Sequence, residues 1–420
     1  MRYLLRTRKN ATALTTLATV LAAGTLAAAT MAGTAAAGTM TPTAAAGTRA
    51  GTAAATTKPA TKPALTTALR ADLTRYLDAE GAKDHFSALS LRVSYPGARP
   101  DLAVSAGTTT YGGRTPVTDD ARWQIGSNTK AFTAVVLLQL EAERKLTIHD
   151  RLGRWLPEYP AWRGVTIKQL LSMTSGIPDY SGQQAFAADL EADPGRRTTA
   201  AQLIAYVRDE PLGPSTYAYS NTNFLLAQLI IERAAPRGYF DQVSRRILAP
   251  LGLRDTCFAP ETCPPRSARL LPAGYSMQAG LPTLVGQAVP PLAVSWGQGA
   301  GGLVSTLADM TTWDRALYDG RMLPAAQQRE LESLVSVTTS KPIRVVTAGD
   351  PVGYGLGVAQ KTDPVTGVTW AYQGGTLGFR VLHLYFPGSG LLMAIAVNSN
   401  VDVSTLSDLA DTLYRTISAP

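Results

Sequence analysis

Histidine is scarce in this chain. Three histidines stand among 420 residues, His85, His149 and His383, far apart and with no His-x-x-x-His spacing. They form no cluster with the two cysteines, so a zinc or transition-metal centre is not expected. Cys257 and Cys263 lie close together in a proline-rich stretch. In an exported protein such a pair reads as a local disulfide. The first 64 residues contain no aspartate or glutamate, and their seven basic side chains carry +7 of the formal net charge of +8. The basic excess therefore belongs to the N-terminal segment, and the rest of the chain is nearly neutral. No basic stripe with interleaved aromatics accompanies it, which excludes nucleic acid as a partner. A Gly-x-Ser-x-Gly elbow is absent, which argues against a Ser-His-Asp triad on a strand-to-helix turn.

The N-terminus has its own logic. Arg2, Arg6, Arg8 and Lys9 precede a long uncharged Ala/Leu/Thr stretch from Ala11 to Met31, and small residues follow at Thr34-Ala35-Ala36-Ala37. This order predicts an export signal over residues 1–37. Its many Ala and Thr residues make a poor membrane span, so no stable anchor is expected and the mature chain should be secreted or associated with the cell wall. Residues 38–64 read as a low-complexity linker. Beyond it, Leu391 to Val397 is apolar but too short to cross a bilayer.

The remaining residues predict an α/β (α+β) fold. A helix is expected from Leu65 to Ala82, with Leu65, Leu69, Leu73 and Leu77 on one face. Strands are expected at 87–95, 102–106, 355–360, 368–372, 379–386 and 391–397, and a last helix at 403–417. Between them, 147–290 reads as mainly helical, most clearly at 166–174, 200–209 and 221–235. The expected architecture is an antiparallel sheet (65–146 and 291–420) flanked by N- and C-terminal helices, with a mainly helical domain inserted at 147–290. Gly297-Gln298-Gly299-Ala300-Gly301-Gly302 matches a dinucleotide pattern, but no βαβ unit surrounds it. No cofactor is expected.

Ser127 and Lys130 carry the chemistry. They stand three residues apart at the start of an apolar helical run, Ala131 to Glu141. On a helix that spacing puts both side chains on one face. A serine hydroxyl needs a neighbour to take its proton, and a half-buried lysine at a helix start can lose its own near neutral pH. An N-capping serine beside a surface lysine would show the same spacing. Two further elements follow in order, Tyr219-Ser220-Asn221 and Tyr372-Gln373-Gly374-Gly375-Thr376-Leu377-Gly378. Together the three resemble the serine β-lactamase and penicillin-binding-protein superfamily. The Tyr-x-Asn element points to its branch of class C β-lactamases, D-alanyl-D-alanine carboxypeptidases and related esterases. Leu170–Tyr180, Gly301–Met310 and Tyr354–Gly357 look like the same branch, so the resemblance covers roughly residues 70 to 418 and implies a β-lactamase/transpeptidase-like fold.

The resemblance assigns roles. Ser127 would be acylated. Lys130 would take its proton or stay charged and activate Tyr219, and the sequence leaves that choice open. Asn221 would bond Lys130 and donate its amide to a substrate carbonyl. The Gly375 and Ser127 N–H groups would hold the oxyanion, with Gly374 letting the strand come close. Tyr372 departs from the pattern, because relatives usually place Lys or His there. It can donate one hydrogen bond to a substrate carboxylate or join a proton relay, or it can simply pack in its strand. Lys361, Arg344 or Arg380 would then have to supply any positive charge. The resemblance implies a serine hydrolase using an acyl-enzyme; with the N-terminal segment read as an export signal the chain would be exported, and a monomer is expected. It would act most like a D-alanyl-D-alanine carboxypeptidase on peptidoglycan peptides. A class C-like β-lactamase, an esterase or a D-aminopeptidase of the same fold are the rivals. A non-catalytic wall-binding or β-lactam-sensing protein stands further off. Substrates would be small molecules or peptides: D-Ala-D-Ala peptides, β-lactams or esters.

Overall fold

The computed structural model describes residues 62–400 and 403–419. The expected export signal and most of the linker lie outside them. Lys62–Glu80 is helical, so the first helix begins three residues inside the expected linker. Nine strands form one antiparallel sheet in the order Leu102–Gly107, Ala88–Ser94, Leu391–Val397, Arg380–Phe386, Gly367–Gly375, Ala359–Asp363, Val352–Tyr354, Leu334–Ser336 and Pro342–Ile343. Leu391–Val397 is buried along its whole length. It is a central strand covered on both faces, which is why it reads as an unbroken apolar run rather than an alternating one.

On one face, Leu65, Leu69 and Leu73 of the first helix meet Leu406, Leu409 and Leu413 of the helix Val403–Ser418 over Leu91, Leu384 and Ile395. The other face is covered by the helices Thr129–Ala142 and Leu307–Tyr318, with Phe132 stacked on Trp313 at 4.0 Å. Asn221–Ala234 packs in turn on Thr129–Ala142. The short helices Ile167–Leu171 and Ala200–Ile204 each begin with a reciprocal cap, Thr166 with Gln169 and Thr199 with Gln202. Cys257 and Cys263 are joined in a disulfide. Among the described residues no helix is long and apolar enough to cross a membrane.

Two of the differences from expectation lie next to the site or on the sheet face it shares. Of the strand expected at 355–360, only Ala359 and Gln360 are strand, and residues 355–358 form a turn before them: the Gly355 N–H bonds the Val358 carbonyl at 2.8 Å, and Gly357 has φ +78°. Only glycine takes that left-handed conformation at little cost. A Cβ on Gly357 would lie 3.0 Å from the Lys130 carbonyl oxygen. The helix Leu307–Tyr318 had no counterpart in the sequence reading, although Thr306 caps it by accepting from Asp309 N–H.

One contact positions the site. Ala359–Asp363 pairs with Gly367–Gly375 only as far as Trp370, so the end of that strand turns its free edge toward the Ser127 turn. A Cβ on Gly374 would lie 1.9 Å from the Ile125 carbonyl oxygen. A Cβ on Gly126, at φ +50°, would lie 2.5 Å from the Gly375 carbonyl oxygen. Gly374→Ala should therefore destabilise the fold by about 1–3 kcal/mol, read as a lower denaturation midpoint. An unchanged midpoint would contradict this contact.

Candidate active site

Ser127 sits in the single turn Gly126–Asn128, which runs directly into the helix Thr129–Ala142. The turn is held from behind. The Asn128 amide donates to the Ile125 and Val381 carbonyls at 2.9 and 3.0 Å, tying it to the sheet. Its oxygen is 2.9 Å from His383 Nδ1, whose other nitrogen is 2.9 Å from the Tyr318 hydroxyl. Both Asn128 N–H groups are engaged, so His383 Nδ1 carries the proton and Tyr318 donates to Nε2. Burial, with Lys361 nearby, pushes His383 down to about 3, so it works as a neutral strut.

The residues singled out by sequence converge in front of that turn. Ser127 Oγ is 2.7 Å from the Tyr219 hydroxyl and 3.0 Å from Lys130 Nζ. Lys130 is completely buried. Its amine also donates to Asn221 Oδ1 and the Ala300 carbonyl, both at 2.8 Å. Those two oxygens can only accept. A neutral amine therefore keeps its two N–H bonds on them and turns its lone pair toward the Ser127 hydroxyl. Burial lowers Lys130 to about 7, against a smaller opposing pull from the Asp179 carboxylate. Tyr219 moves the other way: burial drives its phenol well above 10, and neighbouring Tyr372 adds to this.

Asn221 is the first residue of its helix and does not cap it. Because its oxygen faces Lys130, its nitrogen faces Ser181 Oγ at 3.0 Å and Asp179 Oδ2 at 3.3 Å. The bond to Lys130 is as expected, whereas in this arrangement the amide expected for a substrate carbonyl is engaged elsewhere. Ala300 belongs to the glycine-rich stretch that mimicked a dinucleotide loop. Here the stretch is a tight turn against two helices: Gly299 N–H bonds Gln228 Oε1, and its carbonyl accepts from Thr133.

Tyr372 is buried on the strand Gly367–Gly375, 3.0 Å from the Tyr354 hydroxyl and in contact with Tyr219. Its own phenol is held well above the usual range, mainly by burial, so it stays neutral. Of the cations that could replace the missing charge, Arg380 comes nearest: its guanidinium lies beside Gly375 and donates to the Asn400 carbonyl at 2.8 Å. Lys361 acts on His383 instead, and Arg344 is exposed. Among the described residues no cluster of His, Cys, Asp and Glu could hold a metal.

Residues 73–413 match the β-lactamase family. The chain belongs to that family. A penicillin-binding protein of Bacillus subtilis is 28% identical over 281 residues, which is 64% of this chain and 59% of its own length. This chain thus spans only about three fifths of that curated relative. A D-stereospecific amidohydrolase from Streptomyces sp. superposes with a TM-score of 0.66 at 27% identity, covering 84% of this chain and 99% of its own. The D-amino acid amidase of Ochrobactrum anthropi SV3 reaches a TM-score of 0.70 at 22% identity, over 84% and 98%; at that identity it shows the fold alone. The family is one of serine hydrolases, and this β-lactamase-family chain has its sheet and helices around Ser127.

Sequence reading missed Asp179, Ala300, Asn128 and His383. Asp179 and Ala300 stood inside stretches noted only for their resemblance or for their glycines. If Lys130 must lose its proton before Ser127 can react, phosphonylation of Ser127 by a fluorophosphonate should accelerate with pH. The midpoint should lie at about 7, where Lys130 deprotonates. A midpoint near ~10, the ordinary lysine value, would contradict it.

Proposed function

We propose that this chain is an exported serine amidohydrolase that forms an acyl-enzyme on Ser127 and cleaves amide bonds of small D-amino acid derivatives. The observation that carries the hydrolase reading is the placement of Ser127 Oγ between Lys130 Nζ and the Tyr219 hydroxyl, at 3.0 and 2.7 Å. Ser127 Oγ attacks the substrate carbonyl carbon while its proton passes to the neutral Lys130 amine. Of the two candidate bases, Lys130 at about 7 is available at neutral pH, whereas Tyr219 is held far from ionisation. The Lys130 ammonium formed in that step then returns the proton to the departing nitrogen, while Tyr219 remains a neutral phenol beside Ser127. The oxyanion would fall to the Ser127 and Gly375 N–H groups, a role supported by the close approach of Gly126 to the Gly375 backbone. Water then attacks the acyl-enzyme, releases the acid and restores the Ser127 hydroxyl.

Two findings support the substrate class. The Streptomyces neighbour is a D-stereospecific amidohydrolase, and the position usually held by Lys or His carries the neutral Tyr372. A substrate carboxylate there would lose a charge-assisted bond, about twice as strong as a neutral one. The carboxypeptidase reading keeps one observation in its favour, the Arg380 guanidinium beside Gly375. The basic and then apolar N-terminal segment supports export, and the disulfide fits an oxidising compartment.

Peptides ending in D-Ala-D-Ala, one with a free carboxylate and one with a terminal carboxamide, separate these readings when assayed beside D-alanine p-nitroanilide. The carboxamide and the anilide should be cleaved at least as well as the carboxylate, and Ser127→Ala should lose about 10³-fold or more. A tenfold preference for the free carboxylate would establish the carboxypeptidase instead. Hydrolysis surviving in Ser127→Ala would sink the mechanism.

A further inference from the structure

Asp179 follows Pro178 in the loop before the turn Tyr180–Gly182 and is partly buried. Its Oδ1 accepts from the backbone N–H groups of Asn221 and Ser181 at 3.0 and 3.2 Å. Its Oδ2 accepts from Ser181 Oγ at 2.7 Å and lies 3.3 Å from Asn221 Nδ2. A carboxylate only accepts, so Ser181 must spend its hydroxyl proton on Asp179 and keep its lone pairs for Asn221 Nδ2 at 3.0 Å. The Asn221 nitrogen is thereby fixed on the Asp179 side and its oxygen on the Lys130 side. One acceptor thus sets the sense of a chain of directional bonds ending at the amine beside Ser127. Asp179 is also the charged group acting on Lys130, and the remaining titratable neighbours of that amine are Ser127 and Tyr219.

We propose that Asp179 is a positioning residue of the reaction, holding Asn221 with its oxygen toward Lys130 and adding a negative charge to the surroundings of that amine. This rests on the serine-hydrolase reading above. The two segments are joined independently of Asp179, since the Pro178 carbonyl accepts from Ser220 Oγ and Thr222 Oγ1 at 3.2 and 2.7 Å, and Tyr180 N–H bonds Thr222 Oγ1 at 3.0 Å. An Asp179→Asn variant should therefore fold. Its new NH2 group would face Ser181 or Asn221 as a donor, reverse the chain, and press the Asn221 NH2 against Lys130. Loss of the carboxylate also removes the pull that favours the ammonium, so Lys130 should give up its proton at a lower pH.

The test is the rate of Ser127 phosphonylation by a fluorophosphonate against pH, followed by intact mass, for the parent, Asp179→Asn and Ser181→Ala. Each time Ser127 Oγ bonds phosphorus, fluoride leaves and the serine proton goes to Lys130. Asp179→Asn should lower the plateau rate about tenfold and move the midpoint down by about one pH unit. Ser181→Ala keeps the charge and should lower the plateau with the midpoint unmoved. A parent-like profile in Asp179→Asn, or a uniform loss with no shift, overturns the proposal. If that variant fails to fold, a parent-like plateau in Ser181→Ala overturns it and a lowered one supports it. Failure of the parent to be labelled at Ser127 would instead overturn the hydrolase reading.

Discussion

A single amine, removed from water and surrounded by acceptors from three parts of the chain, is what the rest of this structure serves. Lys130 meets Ser127 from its own helix turn, Asn221 from the start of another helix, and the Ala300 carbonyl from a glycine-rich turn. Burying a charged ammonium is costly, and the molecule answers by lowering its proton affinity rather than by neutralising it with a close ion pair. The fixed carbonyl acceptors then aim the lone pair. The base exists only when all three parts are assembled, which links the chemistry to the fold.

The sheet contributes through close approach. Gly126 and Gly374 remove the side chains that would separate the Ser127 turn from the strand end, while Asn128 and His383 anchor the turn from behind. A nucleophile held from both sides needs little reorganisation when it reacts. The four phenols of Tyr217, Tyr219, Tyr354 and Tyr372 gather on one side of the site, each held above its usual range chiefly by burial. They make that wall polar yet uncharged.

Much of this was legible in the sequence because it rests on local periodicity. The spacing of Leu65, Leu69 and Leu73, the uninterrupted run Leu391–Val397 and the Ser127–Lys130 interval each reflect one element's geometry. What escaped depends on contacts distant in sequence. Gly355–Val358 has the apolar look of a strand, but Gly357 must turn left-handed against the Lys130 carbonyl, a constraint set more than two hundred residues away. Leu307–Tyr318 was hidden because its stretch was read as a family signature, although Thr306 and Asp309 mark its start. His383 looked isolated in sequence and is one bond from the nucleophile's neighbour.

The most direct measurement of the central claim is the protonation of Lys130 itself. Protein carrying ¹⁵N at its lysine side-chain nitrogens should be titrated by NMR, with Lys130→Arg to assign the resonance. The account requires one lysine to lose its proton at about 7 in the folded protein. A Lys130 resonance that stays charged up to about 10 would contradict it and leave Ser127 without its base.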